Sequence, residues 1–330
     1  MRKNKGLLLL LLLLGSMVLL AASLFTGSTS IPPSQILSAM FGLPVSSQAH
    51  NILFLVRIPR ILACLLCGSS LAMAGLLLQS VLHTPLASPG TIGINAGAGL
   101  LVVVFALLFP STFSARLVGA FLGALLAALL VYGIALKTGA SKTTIILTGI
   151  AITSLLSAGI DALVTLHPES LADRASFAVG GFAFVTFEQL GFAFPVMLAA
   201  TILALILSPW LNVLLLGDDI AASLGVHVPL CRFLIILCAA LLAAASVSIA
   251  GLIGFVGLIV PHMVRLLAGS NFKRLIPISL WLGSMLVLLC DLFARLTFAP
   301  YEIPTGIILS FLGAPFILYL LFHRRRESWL

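Results

Sequence analysis

Long apolar runs separated by short polar turns repeat along the whole chain. Each approaches the ~20 residues a helix needs to cross a ~30 Å hydrocarbon core, where a helix satisfies its own backbone. The runs predict ten spans, at 7–28, 61–81, 91–110, 115–136, 144–165, 190–208, 231–249, 253–268, 276–298 and 304–322. The short alternating strands of a barrel are not visible. The pattern therefore predicts an all-α polytopic membrane protein of about ten transmembrane helices, a single transmembrane domain over 1–330. Arg2, Lys3 and Lys5 precede the first run as they would a signal peptide, but the run exceeds the about 7 to 15 apolar residues of such a signal. It is read as a retained helix.

Composition agrees with this reading. The chain is 61% hydrophobic and 8% charged, against roughly 25% charged in an average soluble domain. Basic residues accumulate in cytoplasmic loops, so they orient the spans. With the N-terminus inside, Arg2, Lys3, Lys5, Lys137, Lys142, Arg232, Arg265, Lys273, Arg274, Arg324, Arg325 and Arg326 face inward. Only Arg57, Arg60, Arg116, Arg174 and Arg295 face outward. Both termini are predicted to be cytoplasmic, and the net charge of +8 calls for no nucleic acid.

Several kinds of chemistry find no support. The five cysteines, Cys64, Cys67, Cys231, Cys238 and Cys290, fall in or beside apolar spans, and buried thiols there are packing groups. The C-x-x-C of Cys64 and Cys67 lacks the second pair or histidines of a zinc site. "GASKTT" at 139–144 has Ser141 where a phosphate-binding loop needs Gly before Lys, and Leu136 where it needs an earlier Gly. No nucleophile elbow or H-E-x-x-H occurs, so no catalytic residue, metal or cofactor is expected. Asp161 and Asp291 are the acidic residues nearest membrane depth, where charge is costly. Asp291 precedes Arg295 by four residues, on one helical face. An ion pair and an ion-coupling site are both open there, while Asp161 lies near the outer end of its span and can reach water.

Three polar places interrupt the scaffold. "RIPR", residues 57–60, opens the second span, with Pro59 suited to a first helical turn. Arg57 and Arg60 would project from an outer helix end, with Arg295 at the outer end of the ninth span. Guanidinium groups there can recognise carboxylates or snorkel to lipid phosphates. "LLGDDIAASLGVHVPLCR", residues 215–232, reads as a short cytoplasmic helix capped by Asp218 or Asp219 and ended by Gly225, either a docking knob or an ordinary loop. The turns "LHTPLASPG" at 82–90 and "KTGASKTT" at 137–144 lead into spans rich in small residues. Gly149, Ala151, Ser154, Ser157, Ala158 and Gly159 allow close helix packing or line a polar path.

These stretches together resemble the FecCD family of ABC importer permeases for ferric siderophores, haem and vitamin B12. "RIPRILACLLCGSSLAMAGLLLQ", "TPLASPGTIGINAGA", "SIAGLIGFVGLIVPHMVR" (248–265) and "IPTGIILSFLGAPFILYLL" follow the family's motifs in order and cover nearly the whole chain. The resemblance implies a vitamin B12 permease-like (type II) ABC importer fold, with a coupling segment at about 215–230. Its expected partners are a second copy of the chain or a sister permease, two cytoplasmic ATPase subunits that use the ATP, an extracytoplasmic substrate-binding protein, and the lipid bilayer of a bacterial inner membrane. By resemblance, Arg57, Arg60 and Arg295 dock the binding protein, and Asp219, Ala222, Ser223, Leu224 and Gly225 contact the ATPase. Thr84 and Leu86, with Lys142, Thr143 and Thr144, close the cytoplasmic gate. The chain departs from the family pattern at Thr84, where Asn is usual, and at Leu252, which replaces a turn proline and is expected to loosen that turn. An iron-siderophore is the expected cargo, with haem or a corrinoid as alternatives. An ion-coupled secondary transporter working without ATPases is the rival reading, and a membrane scaffold without transport the third.

Overall fold

The computed structural model describes residues 4–324, apart from 28, 30, 111, 138–141, 169–174, 176 and 298–300. Arg2, Lys3, Arg174, Arg325 and Arg326 lie outside the described residues, as do the side chains of Lys5, Lys142 and Arg324. Helix α1 (Asn4–Phe25) is followed by two short helices, α2 (Pro33–Met40) and α3 (Ser47–Asn51). The chain then passes through a π-helical stretch, Ile52–Arg57, directly into α4 (Ile58–Leu82). A 3₁₀ turn (Pro89–Ile92) leads into α5 (Ile94–Leu108), α6 (Phe113–Lys137) and α7 (Lys142–Leu166). After these come α8 (Phe187–Ile206), α9 (Ser208–Leu214), α10 (Asp218–Ser223) and α11 (Val228–Ala250). The last three are α12 (Val256–Ala268), α13 (Phe272–Leu296) and α14 (Thr305–Arg324).

All ten predicted spans coincide with helices. Six helical segments are long and apolar enough to cross a membrane by length and composition: Ser47–Leu82 and those of α6, α7, α8, α11 and α13. The other four spans coincide with α1, α5, α12 and α14. The fold is that of an all-α polytopic membrane protein.

Helix α4 forms the axis, buried along nearly its whole length and packed by α11, α12 and α13. Small residues set how closely these helices approach. Gly68 of α4 lies against Gly283 of α13, and Gly75 against Gly257 of α12; a Cβ at any of them would meet the facing backbone. The alanine-rich α11 completes the core, with Ala239, Ala243, Ala244 and Ala245 fully buried. The five cysteines are buried free thiols, as their apolar setting predicts.

Two boundaries differ from the sequence pattern for identifiable reasons. Gly251 (φ 69°) and Phe255 (φ 67°) are left-handed, so residues 251–255 form a non-helical link and α12 starts at Val256 instead of 253. The helix containing the second span starts upstream at Ser47, because the π-helical stretch carries the helical path up to Pro59.

Candidate functional site

At the predicted outer end, the continuous helix draws the arginines inward. Arg57, Arg60 and Arg295 do not project from helix ends; they are 3%, 5% and 2% exposed. Arg57 donates to the carbonyls of Leu24 and Thr29, both at 2.7 Å. Arg295 donates at longer range to Ser23 and Thr26, at 3.4 and 3.5 Å. Two guanidiniums thus serve carbonyls at the C-terminal end of α1, where the helix dipole favours cations.

Arg60 is committed to carboxylates within the chain. Its Nε and Nη2 donate to Asp291 at 3.0–3.1 Å and its Nη1 to Glu302 at 2.6 Å. Thr305 Oγ1 donates to Asp291 Oδ1 at 2.8 Å, and Arg295 Nε lies 3.1 Å from Asp291 Oδ2. Asp291 is fully buried at the centre of this network, which resolves its sequence alternatives as an ion pair. The expectation that Arg57 and Arg60 project from an outer helix end is corrected here: the end of α1, α13 and the turn before α14 engage the guanidiniums within this single chain.

Beside this network lies a cavity of about 860 Å³, lined by Arg60, Arg116, Gln189, Glu302 and aromatic side chains including Phe182 and Phe184. Three chain segments are knitted together along its wall. Gly181 N donates to Ala250 O (2.8 Å), Leu252 N to Phe177 O (2.9 Å) and Gly306 N to Gly180 O (3.2 Å). Leu252 therefore does not simply loosen its turn, because its N–H supplies a bond that proline cannot make. Phe184 and Tyr301, 86% and 80% exposed, stand open at this end. Asp161 is exposed on α7.

The opposite end carries the short helix expected between spans six and seven. α10 spans six residues and ends as Gly225 turns left-handed, φ 83°. Val226 N donates to Ala221 O and Gly225 N to Ala222 O, both at 3.0 Å, a Schellman-type closure. Its start differs from expectation. Gly217 holds the N-cap without a side-chain bond, while Asp218 pairs with Arg232 at 2.7 Å. Asp219, Ala222, Ser223, Leu224 and Gly225 are all exposed, and within α10 only Ala221 is buried. Ile220 and Leu224 present apolar side chains outward.

At this same end, Leu86 is exposed and Thr84 half-buried on the turn after α4. Thr84 shapes that turn, its carbonyl accepting from Ala87 N at 3.3 Å. Lys142 opens α7, followed by exposed Thr143 and half-buried Thr144. The 3₁₀ turn connects the two groups, because its Thr91 carbonyl lies directly against Gly149 of α7. His83, left-handed at φ 51°, places its ring nitrogens 3.2 Å from Val81 O and 3.3 Å from Leu214 O. It thereby ties the turn to the end of α9, just ahead of α10.

Glu302, Thr305 and His83 are participants that sequence reasoning missed. Glu302 had one usable signal, as an acidic residue in a predicted outer loop facing unpaired arginines. His83 was visible only as the residue before Thr84, where the chain departs from the family motif.

The model of the FecCD transport family matches residues 11–323. The Fe(3+)-citrate import system permease protein YfmE of Bacillus subtilis is 34% identical over 99% of this chain and 98% of its own length. The iron(3+)-hydroxamate import system permease FhuG of the same organism is 36% identical over 91% of each chain. The hemin transport system permease HmuU of Yersinia pestis is 31% identical over 96% of this chain and 97% of its own. A solved metal-chelate-type ABC transporter in an inward-facing conformation superposes with a TM-score of 0.85 at 30% identity, over 96% of this chain and 99% of that one. A family match over nearly the whole chain, relatives 31–36% identical over nine-tenths or more of their length and a shared fold lead to one conclusion: the chain belongs to the FecCD transport family.

Proposed function

We propose that this protein is the transmembrane permease subunit of an ATP-driven ABC importer for an iron(3+) chelate, located in a bacterial inner membrane with both termini in the cytoplasm. The observation that carries the proposal is α10, which holds Ile220 and Leu224 half or more exposed on a capped, six-residue knob. A capped helix outside the spans that turns Ile220 and Leu224 outward suits a protein contact, and ATPase subunits are the partner this family membership supplies. The cargo class rests on three relatives named for ferric citrate, ferric hydroxamate and hemin.

In this mechanism the chain itself hydrolyses nothing and binds no cofactor. Two ATPase subunits close on ATP, the two α10 knobs follow them, and the cavity between two permease copies changes the side on which it opens. The second copy is identical or a sister permease. Helix α7 suits the shared pathway wall, since most of its side chains are left uncovered within one chain. The turns at Thr84 and Leu86 and the start of α7 at Lys142, Thr143 and Thr144 form the cytoplasmic gate. An extracytoplasmic binding protein delivers the chelate, and its docking falls to Phe184 and Tyr301, because Arg57, Arg60 and Arg295 are internally engaged.

The test is uptake of radiolabelled ferric citrate, ferric hydroxamate, ferric catecholate, hemin and cobalamin into proteoliposomes holding the permease with its ATPase and binding protein. Accumulation of one iron chelate that requires both partners supports the proposal. Uptake of cobalamin alone would overturn the cargo assignment, and uptake without the ATPase would overturn the mechanism.

A further inference from the structure

The segment from Thr26 to Val56 contains no Asp, Glu, Lys or Arg, although it connects two spans at the outer end. Its polar positions are hydroxyls, amides and His50, groups that enter a headgroup interface at less cost than formal charges do. Helix α2 within it is amphipathic. Ile36 and Ala39 are buried against Leu53. In the same apolar sector Leu37 and Met40 remain exposed, followed by Phe41 and Leu43, which are 79% and 56% exposed.

Between α2 and the bundle runs a groove of about 360 Å³, lined only by apolar residues. Leu20 and Leu24 of α1, Leu37 and Met40 of α2, and Ile58 and Leu62 of α4 form its walls. Its α1 wall continues a helical stripe. Leu13, Met17, Leu20 and Leu24 recur at the spacing of one face, and Leu13 and Met17 are 56% and 69% exposed along the span. The groove is thus continuous with a surface that a membrane-spanning helix turns to lipid.

We propose that this groove holds an acyl chain of a membrane phospholipid, running along α1 beneath α2, and that α2 lies in the membrane interface with Met40, Phe41 and Leu43 dipped into the lipid. The uncharged segment suits this position, since burying Ser and Gln near headgroups costs far less than burying a charge. The site secures the end of α1 on its lipid side, opposite the Arg57 and Arg295 contacts on its protein side.

The experiment uses the full chain in nanodiscs made with ordinary or acyl-brominated phosphatidylcholine, with Trp210, Trp281 and Trp329 replaced by Phe. A Met40→Trp reporter should lose about half or more of its emission in brominated lipid, as a face buried ~5–10 Å toward the acyl region would. The Asp219→Trp reference on α10 should be little affected. Equal emission of the Met40→Trp protein in both lipids would overturn the interfacial placement and assign the face to water or to a protein. Native mass spectrometry tests the groove itself. Ala21→Phe, at an exposed position on its wall, should lower the number of tightly held phospholipids by one per chain, and an unchanged number would overturn the acyl-chain site. Neither readout depends on transport, so they stand or fall separately from the importer assignment.

Discussion

Arg60 and Asp291 at the outer end keep 5% and 0% of their surface exposed, whereas Ile220 and Leu224 on α10 keep 50% and 62%. Charge lies inside at one end and apolar side chains stand in the open at the other, for opposite reasons. At the outer end, charges are tolerated inside because each finds a partner: Asp291 accepts from Arg60 and Thr305 and pairs with Arg295. At the other end, Ile220 and Leu224 stand outside because no described residue of the chain covers them. The Asp291 charge network is built within a single copy, whereas α10, on the proposed function, is half of an interface.

The largest effect should come from breaking the charge network. Asp291→Ala leaves Arg60 and Arg295 buried without their shared carboxylate, and such a loss costs about 3–5 kcal/mol. Thermal unfolding of the purified protein should show a large drop, whereas Asp291→Glu should restore part of it. Arg60→Glu, which would set a carboxylate against Asp291 and Glu302, should be as damaging to folding. Folded, stable Arg60→Glu protein with impaired docking would return the residue to the binding-protein interface.

A change at the open end should do the reverse. Leu224→Asp should leave unfolding within about 0.5 kcal/mol, as surface substitutions do, while weakening ATPase association by about 2 kcal/mol, the scale of an interface hot spot. Titration of the ATPase onto nanodisc-held permease measures the second quantity and calorimetry the first. A stability loss without an affinity loss would mean that Leu224 packs within its own chain. The smallest effect is expected at Leu252→Pro, which removes the N–H donated to Phe177 and should cost about 0.5–1.5 kcal/mol. Unchanged or raised stability would show that this bond adds nothing to the knit of the outer segments.

Hydropathy made the ten helices legible because each span is long, apolar and locally determined. The left-handed Gly225 and the Asp291 to Arg295 pair were also legible, since both depend on spacing within a few residues. The fate of Arg57 and Arg60 was not. Their burial follows from a helix that continues upstream of Pro59 and from partners far along the chain, with Asp291 lying 231 residues from Arg60. A single sequence carries the charges but not their pairing. The left-handed Phe255 was hidden for a related reason: its ring packs against Gly313 of α14, and that tertiary contact outweighs local preference.

The most direct test compares wild-type protein with an Ile220→Asp, Leu224→Asp double variant in matched proteoliposomes supplied with the ATPase, the binding protein and a labelled iron chelate. The account predicts that wild-type uptake requires ATP on the ATPase side and persists when ion gradients are collapsed. It also predicts that the double variant unfolds at the wild-type temperature yet accumulates no chelate. Uptake by the double variant at the wild-type rate, or wild-type uptake that ignores ATP and vanishes with the ion gradient, would contradict it.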